Sequence, residues 1–338
     1  MTHHNNIHGT ITVGDVRHFL PTLADDSIDC IVTSPPYVGL RDYGHAQQLG
    51  ASSSVDQWLD EMVEVIEECK RILTPTGSLW LNVGDRYARH RNDGAPTKSL
   101  LLAPQRLAIQ LVERGWRVRN WIIWAKTNPM PSAVADRLSN THESVLLLTP
   151  NDRYYFNLNG IRVPATSKAA PSRSRPPRAY PPVSATFRRS DDNTGLDAMK
   201  QRGSTAHPLG KSPGDVWPIA TASFRGAHFA TFPQALVERM VTAGCPEKVC
   251  PACQRAWLPK PVYLNDRWLR IGPLQPECDC NQGSRRGVVL DPFMGSGTTA
   301  LAAETLGRNW AGIELNPDYA HLATERIEAA RQSRAARK

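Results

Sequence analysis

This sequence of 338 residues lacks several features, and each absence limits the kind of protein that it can encode. No run of eighteen apolar residues occurs, which excludes a helix that crosses a bilayer. The first eight residues are polar, so we expect no secretory signal peptide. Acidic residues do not balance the basic ones: 32 Asp and Glu face 40 Lys and Arg, giving a net charge of +8. This charge is compatible with a polyanionic partner but does not require one.

Short apolar runs, each bounded by turn residues, dominate the sequence. They show no clean alternation, which predicts buried strands of a mostly parallel sheet. Seven such runs occur: Thr10–Val13, Cys30–Val32, Leu79–Val83, Trp121–Trp124, Val145–Leu148, Val288–Leu290 and Ala311–Leu315.

Helical patterns lie between these runs. The longest, Val55–Leu73, places apolar residues at steps of three and four, with Ser53 or Ser54 as its cap. Strands that alternate with helices predict a doubly wound α/β fold with a seven-stranded, mostly parallel sheet. Four other segments follow the helical pattern: Pro104–Arg114, Phe232–Ala243, Thr298–Leu306 and Pro317–Arg331.

A glycine-rich turn follows the strand at 288–290. Gly295 and Gly297 relieve the restriction that a Cβ imposes where a backbone turns sharply beside a ligand. Glu314 ends the next strand, where a carboxylate can accept hydrogen bonds from ribose hydroxyls. No Gly-Lys-Ser or Gly-Lys-Thr follows the turn, which excludes a phosphate-binding P-loop there. A turn that merely packs a helix on a strand is the simpler alternative.

The order of these elements is unusual, because the glycine-rich turn normally opens a nucleotide-binding fold and here comes near the C-terminus. One helix remains after Glu314, so the next strand of the site must come from elsewhere. The strand at 10–13 can supply it, with Asp15 at its tip to accept from an adenine amine. The sequence therefore predicts a circularly permuted sheet that the N-terminal strand completes.

The strand at 30–32 delivers Ser34-Pro35-Pro36-Tyr37 to the same edge, where α/β proteins bind ligands. The two prolines fix the backbone so that carbonyl oxygens point into a cleft. Ser34 and the Pro35 carbonyl can accept two hydrogen bonds from a flat exocyclic amine, while Tyr37 stacks on its ring. A proline turn that ends a strand is the alternative.

The pair of segments Thr33–Tyr37 and Asp291–Thr299, in this order, resembles the β class of DNA amino-methyltransferases, which use S-adenosyl-L-methionine (AdoMet). The segments 120–129, 136–137, 142–145, 214–217 and 228–233 extend the resemblance over most of the chain, except 165–207 and 245–285. The resemblance implies that Ser34–Tyr37 hold the target base. It also implies an AdoMet site of Asp15, Phe232, Asp291, Pro292, Phe293, Gly295, Ser296, Gly297, Thr298, Glu314 and Asn316.

Within this site, the resemblance places Asp291, Phe293, Gly295 and Gly297 at the methionine end of AdoMet. It assigns the ribose to Glu314, the adenine amine to Asp15 and closure of the site to Phe232. Family members whose tetrad begins with Ser more often methylate cytosine N4, and those with Asp generally methylate adenine N6. Ser34 therefore favours cytosine N4, with adenine N6 left open.

Two other function classes fit parts of the sequence. A nicotinamide-dependent oxidoreductase would use the same glycines and Glu314, but it leaves Ser34–Tyr37 unexplained. A DNA-binding protein that has lost catalysis is the other class, although every polar group that the chemistry needs is present. No Pro-Cys dipeptide occurs, so the cysteine nucleophile of ring-carbon methylation has no candidate.

Residues 165–215 are dense in proline, arginine and serine and show no period, which predicts a long insert. Its position between the catalytic halves, where the family places target recognition, favours contact with double-stranded DNA over a merely solvated loop. The residues predicted to contact DNA are Lys126, Arg137, Arg173, Arg175, Arg178, Arg188 and Arg189.

Five of the seven cysteines lie between positions 245 and 280. The pairs Cys250-x-x-Cys253 and Cys278-x-Cys280 supply four soft ligands, which predicts a structural zinc site. Unpaired packing cysteines and disulfides are the alternatives, and Cys245 is a substitute ligand. We expect this insert to stabilise a small lobe next to the cleft or to touch DNA.

The chain is thus divided into a catalytic half (1–164), a target-recognition insert (165–215), a return to the core (216–244), a cysteine-rich insert (245–285) and an AdoMet-binding half (286–338). We expect it to act on DNA at the nucleoid, in the cytoplasm of a bacterial or phage-infected cell, without a membrane partner. Whether a restriction endonuclease accompanies it stays open at this point.

Overall fold

The computed structural model describes residues 8–39, 45, 47–50, 54–164, 207–222, 232–264 and 267–336. Within these ranges, eight strands form one sheet in the order β1-β12-β11-β2-β3-β5-β4-β6. Their bounds are Thr10–Val13 (β1), Ile28–Thr33 (β2), Leu73–Val83 (β3), Arg117–Lys126 (β4), His142–Thr149 (β5), Val216–Ile219 (β6), Val288–Asp291 (β11) and Asn309–Glu314 (β12).

The N-terminal strand completes the C-terminal half of the sheet, as predicted. Strand β1 pairs in parallel with β12, so that Thr10 lies opposite Ala311 and Val13 lies opposite Glu314. Strand β11 lies between β12 and β2 and is parallel to both. The two ends of the chain therefore form one continuous sheet, and the circular permutation is confirmed.

Helices cover both faces of this sheet, as a doubly wound fold requires. The helices in the described ranges are Val16–Phe19 (α1), Val55–Ile72 (α2), Ala103–Glu113 (α3), Gln234–Gly244 (α4), Thr298–Thr305 (α5) and Pro317–Ala335 (α6). Trp58 and Met62 of α2 pack in one buried cluster with α3 and with one face of the sheet. Met240 of α4 and Ala302 of α5 pack in a second cluster with the other face. Ser54 caps α2 by accepting from the Asp56 N–H, which settles the choice between two serines.

The sheet has one strand more than predicted, and one of the predicted strands runs antiparallel to its neighbours. Strand β6, which was not predicted, has only four residues, and Pro218 among them obscures any strand pattern. Its Trp217 is buried and makes it part of the core. Strand β5 runs antiparallel to both β3 and β4. Because of this reversal, the N-terminal end of β5 meets the carboxyl ends of β3 and β4 at one edge.

The cysteine-rich segment forms a small lobe with two short pairings. Its strands are Lys248–Val249 (β7), Leu258–Leu264 (β8), Arg267–Gln275 (β9) and Arg285–Arg286 (β10). Strand β7 pairs with β10, and β8 pairs with β9 as an antiparallel hairpin. None of the helices in the ranges that the structure describes is long and apolar enough to span a membrane.

The lobe lies at the amino edge of the parallel strands. Gln254 Nε2 donates to the backbone oxygen of Asp26, just before β2, and Arg285 forms an ion pair of 2.5 Å with Asp29. Asp29 also accepts from the Val288 N–H at the start of β11. These contacts place the lobe away from the opposite, carboxyl edge, where the sequence predicts the ligand site, whereas contact of the lobe with DNA stays a prediction.

Candidate active site

A hydrogen bond joins the two halves of the chain at the carboxyl edge of the sheet. The Thr33 hydroxyl, at the end of β2, donates to Asp291 Oδ1 at the end of β11, over 2.6 Å. The segments that follow these residues are Ser34–Tyr37 and the glycine loop at 292–297. Both segments therefore leave neighbouring strands at one edge, which places the two predicted motifs side by side.

Asp291 is fully buried and its carboxylate has three internal donors. Besides Thr33, the Thr299 hydroxyl donates to Oδ2 over 2.6 Å and the Phe293 N–H donates to Oδ1 over 3.0 Å. Burial raises the pKa of this carboxyl group to about 6, against the opposing effect of these hydrogen bonds. The side chain of Asp291 lies beneath the loop and ties it to β2, and the place of Asp291 at the methionine end of AdoMet stays a prediction.

The glycine loop is open on one side and packed on the other. Gly295 has a φ of +52°, and a Cβ placed there would meet nothing closer than Phe293 O at 3.9 Å. Gly297 has a φ of +81°, and a Cβ there would lie 3.0 Å from the Cβ of Ala323 in α6. Arg326, also from α6, donates to the backbone oxygen and the hydroxyl of Ser296. The loop is thus held from behind and leaves the side at Gly295 free for a ligand.

Glu314 lies beside this open side. Its carboxylate accepts from the Gly295 N–H over 2.7 Å and from the Asn316 N–H over 2.9 Å. Burial raises its pKa, and the backbone donors lower it in part. A carboxylate has about four acceptor directions, so Glu314 retains capacity for a ligand hydroxyl. Asn316 caps α6 by accepting from the Asp318 N–H.

Asp15 lies at the tip of β1, as predicted, but its carboxylate is already engaged. It caps α1 by accepting from the Arg17 N–H and forms an ion pair with the Arg17 guanidinium. Burial raises the pKa of Asp15, but the hydrogen bonds and charge of Arg17 outweigh burial and lower it. An adenine amine would have to share this carboxylate with Arg17. Phe232, which begins the segment before α4, is half-buried and packs against the second core cluster.

The Ser34–Tyr37 segment is braced from two sides. The buried indole of Trp58 donates from Nε1 to the Pro36 carbonyl over 2.8 Å. The Tyr37 ring lies against Gly84, where a Cβ would come within 2.6 Å of the ring. Both contacts fix the segment before any ligand arrives, which is the preorganisation that catalysis by positioning requires.

A polar network surrounds the Tyr37 hydroxyl. It donates to Glu143 Oε2 over 2.7 Å and lies 3.1 Å from Ser34 Oγ. The amide nitrogen of Asn82 lies within hydrogen-bond distance of three oxygens, those of Ser34, Tyr37 and Glu143. Lys126 donates to Glu143 Oε1 over 2.6 Å. Strands β3, β4 and β5 and the segment that follows β2 thus each contribute a polar side chain to one cluster at the carboxyl edge.

Two members of this network were not assigned a role from the sequence. Asn82 is a buried polar residue in the otherwise apolar run Leu79–Val83 of strand β3. A polar residue within an apolar run is the feature of the sequence that could have identified it as functional. Glu143 lies at the start of β5, and only the reversed direction of this strand brings it to the site. Its partner cannot be read from a pattern along the chain, because Tyr37 lies 106 positions away.

Two of the residues predicted to contact DNA, Lys126 and Arg137, lie in the part of the chain that the structure describes. Lys126 lies in the polar network, where it pairs with Glu143 and lies over the ring of Trp124. Arg137 stacks on Tyr87, with its guanidinium 3.7 Å from the ring centre. The other predicted residues lie outside the described part of the chain: Arg173, Arg175, Arg178, Arg188 and Arg189.

Four cysteines of the lobe converge on one point. The Sγ atoms of Cys250, Cys253, Cys278 and Cys280 all lie within 4.8 Å of one another, and all four are free thiols. A tetrahedral zinc site with Zn–S bonds of about 2.3 Å needs Sγ atoms about 3.8 Å apart, so the geometry fits with little adjustment. Cys245 is fully buried and does not belong to this group.

The four thiols influence one another, and their pKa values are shifted in opposite directions. Hydrogen bonding from the Cys253 N–H is the main factor that lowers the pKa of Cys250 to about 7. The hydrogen bond with the Cys253 thiol is the main factor that raises the pKa of Cys280 to about 12. Four crowded thiols cannot all ionise together, whereas a bound divalent cation would favour all four thiolates.

Comparison with known proteins agrees with this geometry. The sequence profile N6_N4_Mtase, described as DNA methylase, matches residues 28–325. The chain is 32% identical to the Type II methyltransferase M.SmaI of Serratia marcescens, over 94% of this chain and 90% of that protein. It is 31% identical to the Type II methyltransferase M.Cfr9I of Citrobacter freundii, over 94% and 87%.

Two solved structures share the fold. The cytosine-N4-specific PvuII DNA methyltransferase superposes with a TM-score of 0.58 at 17% identity, over 96% of this chain and 91% of that one. A putative DNA modification methylase of Thermus thermophilus, complexed with AdoMet, superposes with a TM-score of 0.52 at 24% identity, over 95% and 93%. At these identities the likeness concerns the fold.

Proposed function

This chain belongs to the DNA methylase family, and on that premise we propose that it methylates the exocyclic N4 of cytosine at a specific site in duplex DNA, with AdoMet as the donor. The observation that carries the proposal is the hydrogen bond between Thr33 and Asp291, which sets a base-binding tetrad beside a glycine loop. The PvuII enzyme, which shares the fold, is named as cytosine-N4-specific.

The residues of the C-terminal half fit AdoMet. The open side of the loop at Gly295 leaves room for the ligand, and Glu314 has acceptor capacity for its ribose. Pro292, Phe293, Ser296 and Thr298 would surround the methionine end, with Asp291 supporting them from below. When bound, AdoMet supplies a methyl group on a positively charged sulfur, which makes this carbon electrophilic.

The tetrad residues orient the amine of the base. An exocyclic amine is a poor nucleophile, because its lone pair is delocalised into the ring. Ser34 Oγ and the Pro35 carbonyl would each accept one of its hydrogens, which favours a pyramidal nitrogen with a localised lone pair. The base must leave the duplex to reach this edge, and Tyr37 would stack on it to offset part of the cost.

DNA recognition is assigned to the insert at 165–215 and to Arg137. The charge of +8 and the arginines of the insert support contacts with phosphates. Relatives named Type II methyltransferases come from bacteria, so we place this chain in a bacterial or phage-infected cytoplasm with a cognate restriction endonuclease as companion.

A zinc ion bound by the four lobe cysteines is part of the proposal. Their convergence within 4.8 Å at the amino edge supports a structural role, because the lobe precedes β11 and contacts β2 through Asp26 and Asp29. The metal would stabilise the chain that leads into the AdoMet-binding half and would take no part in methyl transfer.

The function is tested by transfer of tritium from labelled AdoMet to unmethylated DNA. Label in the DNA is the expected result. An inactive DNA-binding protein would leave the DNA unlabelled, and an oxidoreductase would also fail this assay.

A further inference from the structure

We propose that Ser34, Tyr37 and Glu143 form a relay that carries the proton lost by the methylated amine to a carboxylate. The inference rests on the proposed function and adds a route for this proton. It assigns Glu143 as the terminal proton acceptor, which acts on the substrate through Tyr37.

The need for a relay follows from the chemistry of Ser34. When the amine nitrogen forms its bond to the methyl carbon, the carbon–sulfur bond of the donor breaks and its electron pair stays on sulfur. The nitrogen then carries one proton more than the neutral product. A serine hydroxyl is a far weaker base than a carboxylate, so Ser34 can take up a proton only if it passes its own proton on. A tetrad that begins with Ser therefore needs another group to take the proton, and Glu143 is the carboxylate connected to it by hydrogen bonds.

The hydrogen bonds of the network have one consistent direction. Tyr37 has a single hydroxyl proton, and it is donated to Glu143 Oε2 over 2.7 Å. The contact of 3.1 Å between Ser34 Oγ and the Tyr37 oxygen must then carry the Ser34 proton towards Tyr37. With its proton directed away, Ser34 Oγ presents lone pairs to the amine, as the proposed chemistry requires.

Asn82 maintains this direction. Its amide nitrogen lies 2.7 Å from the Tyr37 oxygen and 2.8 Å from Glu143 Oε2, and it can only donate to them. Donation to the Tyr37 oxygen leaves the Tyr37 proton to point at Glu143. Asn82 is buried, which fixes the amide beside the relay.

Lys126 sets the charge at the end of the relay. Its ammonium lies 2.6 Å from Glu143 Oε1, and both side chains are about four-fifths buried, with 21% and 17% exposed. The Lys126 ammonium therefore lies within ion-pair distance of the carboxylate that ends the relay. The ion pair engages Oε1, so Oε2 stays directed at Tyr37.

The proton balance closes within these residues. The N–H bond of the methylated amine breaks, its electron pair stays on nitrogen and its proton passes to Ser34 Oγ. The Ser34 proton passes to the Tyr37 oxygen, and the Tyr37 proton passes to Glu143 Oε2. The products are a neutral amine, unchanged hydroxyl groups and a carboxylic acid that later releases its proton to solvent.

The test uses Glu143→Gln, which keeps the shape of the side chain but cannot take a proton, and Tyr37→Phe, which keeps the ring but breaks the relay. Each variant should lower the single-turnover rate of methyl transfer about 100-fold, in the range for loss of a general base. The double variant should lose no more than about twofold beyond either single one, because both interrupt one path.

Two further readouts separate a relay from a merely structural network. The wild-type rate should show a solvent deuterium isotope effect of about 2 or more, which disappears in Tyr37→Phe because no proton then moves along the chain. The dissociation constant of AdoMet should stay within about twofold in every variant. Glu277→Gln is the matched control, because it removes a carboxylate from an ion pair of 2.6 Å with Arg270 in the distant lobe.

Outcomes that overturn the relay differ from those that overturn the proposed function. A Glu143→Gln variant with the wild-type rate, or losses that multiply in the double variant, would exclude the relay while methylation stands. A wild-type protein that transfers no methyl group to DNA would exclude the proposed function itself. If Glu143→Gln does not fold, Tyr37→Phe still tests the relay: a solvent isotope effect that persists in this variant would exclude it.

Discussion

Thr33 and Asp291 lie 258 positions apart in the chain, yet the hydroxyl of one donates a hydrogen bond of 2.6 Å to the buried carboxylate of the other. This contact positions the end of β2 next to the end of β11. The base-binding tetrad and the glycine loop depend on it for their relative placement, since each begins immediately after one of the two residues.

Replacing Thr33 by Val should destabilise the protein by about 1–3 kcal/mol, because it removes a donor from a fully buried carboxylate. Thr33→Ser is the matched control, since it keeps the hydroxyl. Urea unfolding measures the free-energy difference. Equal stability of the two variants would contradict the role given to this hydrogen bond.

The stability of the protein should fall with rising pH on account of Asp291. Its folded-state pKa is raised to about 6 from 3.8, so the folded state binds the proton more tightly than the unfolded state. The stability that this proton contributes is present below about pH 4 and is lost as the pH rises through about 6, an effect on the order of 3 kcal/mol. Unfolding measured between these pH values should show this loss in the wild type but not in Asp291→Asn. If the free energy of unfolding depends on pH in the same way in the two proteins, the role given to Asp291 is contradicted.

Gly84→Ala should impair methyl transfer by displacing the Tyr37 ring, which lies 2.6 Å from the position of the new Cβ. We expect a fall of about tenfold or more in kcat, since small displacements at a reacting centre are costly. Gly307→Ala is the control, because a Cβ there meets no atom within 4 Å and only its φ of +70° is unfavourable. It should lower the Tm and leave kcat intact.

Trp58→Phe should lower kcat about tenfold without changing the dissociation constant of AdoMet, because it frees the Pro36 carbonyl from the indole N–H. Trp116→Phe removes a similar bond, of 2.9 Å to Glu67, away from the site. Steady-state kinetics on both variants make the comparison. The same kcat in the two would exclude a positioning role for Trp58.

The purified protein should contain one zinc ion per chain, as measured by elemental analysis. Cys253→Ser should lose the metal and melt at a lower temperature, whereas Cys245→Ser should retain it, because Cys245 lies outside the cluster. Since the lobe lies at the amino edge, the metal-free variant should still transfer methyl groups at low temperature. Metal-free wild-type protein would remove the zinc proposal.

Much of this architecture follows from local patterns in the sequence. The seven predicted strands are present, since continuous apolar runs bounded by turn residues leave few other solutions. The placement of β1 beside β12 also agrees with the prediction that the N-terminal strand completes the sheet.

What the sequence did not predict depends on contacts between distant residues. Glu143 reaches the site only because β5 is antiparallel, and direction is not encoded in an apolar run. The burial of Asp291 depends in part on its contact with the distant Thr33, and the roles that the resemblance implies for Asp15 and Asp291 stay predictions. The position of the cysteine lobe is known only from its contacts with Asp26 and Asp29, and the spacing of residues along the chain does not reveal these contacts.

The most direct test of the account is the identity of the nucleoside formed when the wild-type protein and Ser34→Ala are incubated with AdoMet and unmethylated duplex DNA. Mass spectrometry of the digested DNA should detect N4-methyldeoxycytidine with the wild type and at least about 100-fold less with the variant. N6-methyldeoxyadenosine in its place would contradict the assignment of the base. Equal methylation by both proteins would contradict the role of the tetrad.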